Sequence, residues 1–286
     1  MVLLRVTVAK GRTLPPFTPH RAAPIKPEEA AMPPELLTVA CLTDNYAFLL
    51  HDAEAGTTAL IDAPEAGPIE AALAARGWRL TDILITHHHA DHIDGVARLR
   101  ALTGARVTGA AADAHRLPPL DNAVRGGDTL HIGSEIAQVI DVPGHTVGHI
   151  AYHLPGAAMV FTADSLMALG CGRLSEGTPD QMWQSLCRLA ALPPQTLVCS
   201  GHEYTAANAK FAMTIEPGNP ALISRATAVA RARSADIPTV PSTLAVELAT
   251  NPFLRAALPG VKALLGLERA SDAESFAELR RRKDRF

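Results

Sequence analysis

Seven residues from Thr86 to His92 read Thr-His-His-His-Ala-Asp-His, directly after the apolar run Ile83-Leu84-Ile85. The pattern H-x-H-x-D-H puts four candidate metal ligands, His87, His89, Asp91 and His92, at the end of a strand-like segment. Imidazoles and a carboxylate this close together are held in place by a cation or by solvent. Alternation of side chains along the chain turns the intervening His88 away from its neighbours and gives it a supporting role.

Three further candidates follow, each just past its own strand-like run. His145 lies in the turn Pro143-Gly144-His145-Thr146 beyond Ile136 to Asp141, Asp164 comes after Met159 to Thr162, and His202 comes after Leu197 to Ser200. Strands that end on the same side would bring all seven side chains to one edge, where loops on a rigid sheet carry catalytic groups. Seven nitrogen and oxygen donors exceed what one tetrahedral ion takes. The division expected is His87, His89 and His145 for one ion and Asp91, His92 and His202 for a second, with Asp164 bridging. Zinc suits such donors, and iron or manganese is also accepted. Two cations sharing a water lower its pKa to about 7, so Asp91 and Asp164 are the candidate catalytic carboxylates. No glycine-rich phosphate loop, G-x-S-x-G elbow or other nucleophile–base pattern competes with this cluster.

The surrounding chain reads as α/β. Phe48 to Leu50, Thr58 to Ile61, Leu84 to Thr86, Val107-Thr108 and Thr129 to Ile132 are strand-like, and Ile150 to Leu154 pairs with Met159 to Thr162 through Pro155-Gly156. Pro68 and Gly77 bracket a helix over Ile69 to Arg76. A helix is expected to open after Asp91 with Val96 and Leu99 on one face. Thr178-Pro179-Asp180-Gln181 has the cap, N1 proline and N3 glutamine of a helix start. Beyond His202 the strand signal stops. Thr205 to Ile215, Pro220 to Ser234 and Thr243 to Ala249 are helical in pattern, and the capping box Ser271/Glu274 opens a last helix that turns Phe276 and Leu279 inward. The domain organisation expected is a Pro-rich, disordered extension over 1–31 ahead of a start near Met32, a catalytic domain over 32–202, and a helical domain over 203–286.

At 48% apolar and a formal charge of −3, the 286-residue chain can bury one large core or two moderate ones and offers no electrostatic case for nucleic acid or an anionic membrane. No apolar run is long enough to cross a bilayer. The scattered cysteines Cys41, Cys171, Cys187 and Cys199 fit reduced thiols in a cytoplasm.

The H-x-H-x-D-H cluster with His145, Asp164 and His202 resembles the metallo-β-lactamase superfamily. Further segments resemble glyoxalase II, the hydroxyacylglutathione hydrolases. They are Gly170-Cys171-Gly172-Arg173 with Glu176-Gly177-Thr178, Gly201-His202-Glu203-Tyr204-Thr205, Asn208 to Ala212, Asn251-Pro252-Phe253-Leu254-Arg255, and the ending Arg282-Lys283-Asp284-x-Phe286. The resemblance runs from about Met32 to the C-terminus. It implies an αβ/βα sandwich with a C-terminal helical domain, two divalent ions, and a monomeric enzyme. The implied reaction takes S-(2-hydroxyacyl)glutathione, in particular S-D-lactoylglutathione, to glutathione and D-lactate, the second step of methylglyoxal detoxification. Arg173, Tyr204 and Arg255 are the implied contacts to glutathione, whose carboxylates a guanidinium can take bidentately. The chain departs from the family pattern at Leu174-Ser175, where an aromatic pair is usual, and at Leu258, where a lysine is often found. Lys283 or a neighbouring arginine is the candidate replacement for that cation. Two alternatives share the ligand cluster: a mononuclear iron persulfide dioxygenase, and a non-catalytic metal-binding protein.

Overall fold

The computed structural model describes residues 33–286; the extension expected over 1–31 lies outside them. Two six-stranded sheets stack face to face. The first runs in chain order: β1 (Glu35–Cys41), β2 (Asn45–Asp52), β3 (Thr57–Ile61), then β4 (Leu80–Leu84), β5 (Arg106–Ala110) and β6 (Asn122–Val124). β1 to β3 are antiparallel, and β3 to β6 are parallel. Parallel strands need crossovers, supplied by α1 (Ala66–Arg76) and by α2 (Ala90–Ile93) with α3 (Val96–Thr103). Gly77 ends α1 in the left-handed conformation at φ 65°, a backbone state that costs glycine little.

The second sheet begins with the antiparallel meander β7 (Thr129–Ile132), β8 (Glu135–Asp141), β9 (Ile150–Leu154) and β10 (Met159–Ala163). The short hairpin β11 (Leu166–Met167) and β12 (Gly170–Cys171) follows, then α4 (Pro179–Ala190), opened by the Thr178/Gln181 capping box. α4 leads to β13 (Leu197–Ser200), which is parallel to β10. Because β8 and β10 both run antiparallel to β9, strands β8, β10 and β13 all end at the same edge.

Between the sheets lies a core that includes Phe48, Leu50, Ile61, Leu84, Val139, Tyr152, Leu154 and Phe161. The outer face of the first sheet buries Leu49, Leu60, Ile83 and Val107 against Ile69 and Leu73 of α1 and Val96 and Leu99 of α3. The outer face of the second covers Ala151, Val160 and Val198 with Met182, Leu186 and Leu189 of α4. Both faces of the central strands are therefore covered, and β2 reads as a nearly continuous buried run rather than an alternating one. The architecture is the expected αβ/βα sandwich.

The rest of the chain is helical: α5 (Thr205–Ile215), α6 (Pro220–Ser234), α7 (Leu244–Thr250), α8 (Pro259–Leu265) and α9 (Asp272–Arg285), interrupted only by the edge strand β14 (Ser242–Thr243). α8 falls where no helix was expected. Phe211, Phe253, Val261, Phe276 and Leu279 extend the same core that covers the second sheet.

These helices also grip the β11–β12 hairpin by its backbone. Asn251 Nδ2 donates to the carbonyls of Met167 and Gly170 (both 3.0 Å), and Asn208 Nδ2 donates to that of Ala168 at 3.0 Å. Glu247, fully buried and paired with Arg225, accepts from Leu169 N at 2.9 Å, where the backbone is left-handed at φ 56°. Arg280 Nη1 donates to Cys171 O at 2.9 Å.

Among the described residues no helix is long and apolar enough to cross a membrane, and all four cysteines are free.

Candidate metal centre and substrate cavity

The strand ends carry the predicted residues to one place. His87 follows β4, His145 follows β8, Asp164 follows β10 and His202 follows β13. Asp91 and His92 differ from expectation, since the helix opens one residue before Asp91 and carries both on the short α2 rather than on a loop.

The ligand atoms of His87, His89 and His145 lie within 4.8 Å of one another, and so do those of Asp91, His92 and His202. Asp164 stands between the two groups. Its Oδ2 is 3.4 Å from His145 Nε2, while its Oδ1 is 3.4 Å from His92 Nε2 and 3.3 Å from His202 Nε2.

Outer partners decide which nitrogen of each ring faces inward. His145 Nδ1 donates to Arg173 O at 2.8 Å, His92 Nδ1 to Asp62 Oδ2 at 2.8 Å, and His202 Nδ1 to Asp44 Oδ1 at 2.8 Å. His87 Nδ1 faces Thr86 Oγ1 at 3.1 Å; that hydroxyl gives its own proton to Asp62 Oδ2, so its oxygen accepts from the ring. Each of these four rings thus turns an Nε2 lone pair to the centre, the arrangement in which histidine binds a metal. The inward nitrogens crowd: His89 Nδ1 is 3.2 Å from His87 Nε2 and 2.9 Å from His145 Nε2.

Asp62 anchors the arrangement. It stands just past β3 in the left-handed region at φ 55° and accepts from Thr86 N and Thr86 Oγ1, both at 2.8 Å, as well as from His92. Strained backbone of this kind persists where its surroundings over-determine it.

The electrostatics are compatible with a bound cation. Burial alone pushes the Asp164 carboxyl up, yet the facing His92 and His202 hold it well below the usual carboxylate range. Burial and the neighbouring imidazoles keep His87 neutral. His92 Nε2 and Asp164 Oδ1 are both buried without a hydrogen-bond partner, and such groups are costly unless a ligand or ion meets them. Gly201 leaves the necessary room, because a Cβ there would come within 2.8 Å of both Asp164 Oδ1 and His92 Cε1. The donor set fits a pair of divalent cations, with imidazole nitrogen and carboxylate oxygen of borderline character.

From this cluster a cavity of about 710 Å³ runs out between the sandwich and the helices. His89, Asp91, His145, Asp164 and His202 line its floor, and Arg173, Tyr204, Lys210, Arg280, Lys283 and Phe286 line its walls. Tyr204 stacks flat on His202, with ring centroids 4.6 Å apart and planes at 6°. Lys283 lies over the rings of Phe211 and Phe286, at 5.3 and 5.2 Å. Burial and the adjacent Arg280 and Arg173 lower its pKa, as expected for cations gathered around one space.

Arg255 is placed elsewhere. Its Nε and Nη2 donate to the two carboxylate oxygens of Glu216 at 2.7 and 2.8 Å, and it does not line the cavity. The implied glutathione contact at Arg255 is therefore corrected to a structural ion pair, because the guanidinium is already taken bidentately. Leu258 is an exposed surface residue outside the lining.

Arg280, Asp44 and Asp62 were not singled out in the sequence, and Asn208 and Lys210 stood there only as part of the family-like segment Asn208 to Ala212, without a role at the site. Asp62 could have been found, since it follows the apolar run Thr58 to Ile61 as the ligand candidates follow theirs. Spacing of three residues likewise puts Arg280 and Lys283 on one face of α9.

Comparison with known proteins agrees with this geometry. Residues 44–202 match the metallo-β-lactamase superfamily and residues 203–286 match the hydroxyacylglutathione hydrolase C-terminus. A hydroxyacylglutathione hydrolase of Cereibacter sphaeroides (strain ATCC 17025 / ATH 2.4.3) is 65% identical over 255 residues, covering 89% of this chain and all of the relative. The chain belongs to the hydroxyacylglutathione hydrolase family. Another member, from Fuscovulum blasticum, is 66% identical and covers 88% of the chain and 98% of the relative. Among solved structures, TTHA1623 in a di-iron-bound form is 28% identical with a TM-score of 0.54, covering 77% of this chain and all of that one. The family fold and its histidine–aspartate clusters are compatible with a dinuclear metal site.

Proposed function

We propose that this family member hydrolyses S-(2-hydroxyacyl)glutathione thioesters, S-D-lactoylglutathione in particular, to glutathione and the 2-hydroxy acid, using two divalent metal ions. One observation carries the reading: a single cavity joins the imidazole–carboxylate floor to the cationic walls supplied by α5 and α9. The floor suits a reacting carbonyl, and the walls suit a carrier bearing two carboxylates. In this reading residues 32–202 form the catalytic part and residues 203–286 hold the carrier.

His87, His89 and His145 would hold one ion, Asp91, His92 and His202 the other, and Asp164 both. Zinc is the proposed occupant, with iron and manganese chemically acceptable. When bound, two such ions supply Lewis acidity, which makes a water nucleophilic near neutral pH and stabilises charge on a carbonyl oxygen.

The protein's own residues do the rest. Asn45 Nδ2 donates to Asp91 Oδ2 at 3.0 Å, which orients this half-exposed carboxylate at the cavity floor to accept the proton of the attacking water. Arg173, Lys210 and Lys283 offset the carboxylates of the carrier, beside Arg280, whose guanidinium is paired with Asp284 at 2.7 Å, and Tyr204 walls the site beside His202. The departing thiol ionises near pH 8.5, so it leaves as thiolate without a strong general acid.

A persulfide dioxygenase with one iron would need only one of the two triads, and a closed storage site would not need the cavity. Metal content and turnover of S-D-lactoylglutathione, measured together before and after chelation, test the reading. Two ions per chain, with activity lost on removal and regained on reloading, are expected. Turnover that survives complete metal removal overturns it, as does a single iron with oxygen uptake.

A further inference from the structure

Beside the imidazole cluster lies a polar network that the proposed reaction does not use. Arg116, in the turn after β5, reaches two carboxylates at once. Its Nη2 donates to Asp113 Oδ1 at 2.6 Å, its Nη1 donates to Glu176 Oε1, and its Nη2 is 3.3 Å from Glu176 Oε2. His88 closes the ring, with Nδ1 3.2 Å from Asp113 Oδ2 and Nε2 3.2 Å from Arg116 Nη1. Asp113 is almost fully buried, so the guanidinium compensates a charge that would otherwise be expensive.

The segment this network holds is the one that aims His145. Glu176 Oε2 accepts from Val147 N at 2.8 Å. The backbone N–H groups of Ser175 and Glu176 both donate to His145 O, at 3.2 and 3.3 Å, and Gly177 N donates to Gly144 O at 3.1 Å. Arg173 O, three residues before Glu176, receives the His145 Nδ1 proton. No Cβ could be placed at Gly148, where it would sit 2.2 Å from Asp113 Cγ, so the His145 turn is pressed directly onto the network.

We propose that Arg116 is a positioning residue: by bridging Asp113 and Glu176 it fixes the turn that points His145 at His87 and His89. The inference rests on the metal-site reading above. It is specific to one triad, because Asp91, His92 and His202 are oriented by Asn45, Asp62 and Asp44 instead. The Glu176 carboxyl is correspondingly pulled down to about 2, first by Arg116.

The test is stepwise metal release from the full-length, metal-loaded protein. Wild type, Arg116→Ala, Arg116→Lys and Glu176→Gln are dialysed against graded chelator, ions retained per chain are counted, and the cobalt-loaded forms are followed by visible absorption. Loss of an outer partner of a ligand weakens metal binding about 10–100-fold. Arg116→Ala and Glu176→Gln are therefore expected to release one ion at a chelator concentration at least tenfold lower, with the second unchanged and the cobalt spectrum altered. Arg116→Lys should recover part of the loss. Retention like wild type in both variants overturns the proposal. So does parallel loss of both ions with a falling melting temperature, which would mark a purely structural role. Release is read without turnover, so an inactive wild type that holds two ions would sink the hydrolase reading and leave this one standing.

Discussion

Asp164 Oδ1 lies 3.4 Å from His92 Nε2, across the imidazole from the bond that His92 Nδ1 gives to Asp62. The ring is thus held by a carboxylate on each side, and the inner pair of atoms has no hydrogen-bond partner. Burial opposes charge on both groups, yet their mutual attraction pushes His92 well above its ordinary range and Asp164 well below. A divalent cation bound at this site would meet both buried atoms.

Asp62 is the first place to test this arrangement. Asp62→Ala removes the acceptor for Thr86 N, Thr86 Oγ1 and His92 Nδ1. A buried N–H left unpaired costs about 1–3 kcal/mol, and the freed ring should weaken metal retention about 10–100-fold. Chemical denaturation and metal counting after dialysis check both, and full retention of both ions would contradict the role given to Asp62.

Gly201 is expected to tolerate no side chain. The added methyl of Gly201→Ala meets Asp164 Oδ1 and His92 Cε1 at 2.8 Å, and overpacking of this sort costs about 1–3 kcal/mol. A folded protein with reduced turnover and reduced metal content is the expected outcome, measured by circular dichroism, kinetics and metal analysis. Wild-type values in all three would mean that the gap between the groups has no use.

Lys283 and Arg255 should separate cleanly in kinetics. Lys283→Gln removes a cavity cation, so KM for a glutathione thioester should rise roughly 10- to 100-fold, the scale of a lost charge-assisted hydrogen bond of about 1.5–3 kcal/mol. The thioester of a neutral thiol should be unaffected. Arg255→Ala should leave KM alone and lower stability, because Glu216 is mostly buried and loses its bidentate partner. A KM effect at Arg255 in a protein of unchanged stability would reverse the assignment.

Asp52 predicts an acid limb in stability. Its carboxylate accepts from Ala55 N and, across the sandwich, from Ser134 N in the turn after β7, and these bonds lower its pKa from 3.8 to about 2. A depressed folded pKa means that the unfolded chain takes the proton first. The contribution is therefore fully present above about pH 4 and is lost as pH falls toward 2, on the order of 2 kcal/mol in all. Denaturation series between pH 2 and 6 should show a shallower decline for Asp52→Asn than for wild type, and identical slopes would refute the linkage.

The expected positions of His87, His145, Asp164 and His202 rest on local chemistry, with each polar donor following an apolar strand that the core must bury. The caps of α4 and α9 were equally local, since Thr178/Gln181 and Ser271/Glu274 satisfy the first helical N–H groups within a few residues. Asp91 and His92 show the limit of that reading. Strand and helix signals meet there, and tertiary contacts placed the boundary inside the ligand cluster.

What the sequence alone determined is the kind of chemistry this chain carries and the scaffold under it, because donor type, strand periodicity and helix caps are properties of neighbouring residues. Tertiary structure alone decided which long-range partners each donor has. It ran β8, β10 and β13 to a common edge, gave Arg255 to Glu216 and Lys283 to the cavity, and set Asp62 and Asp44 behind the histidines. Those choices depend on groups brought together from distant parts of the chain, and charge satisfaction in a buried space is settled only once all of them are present.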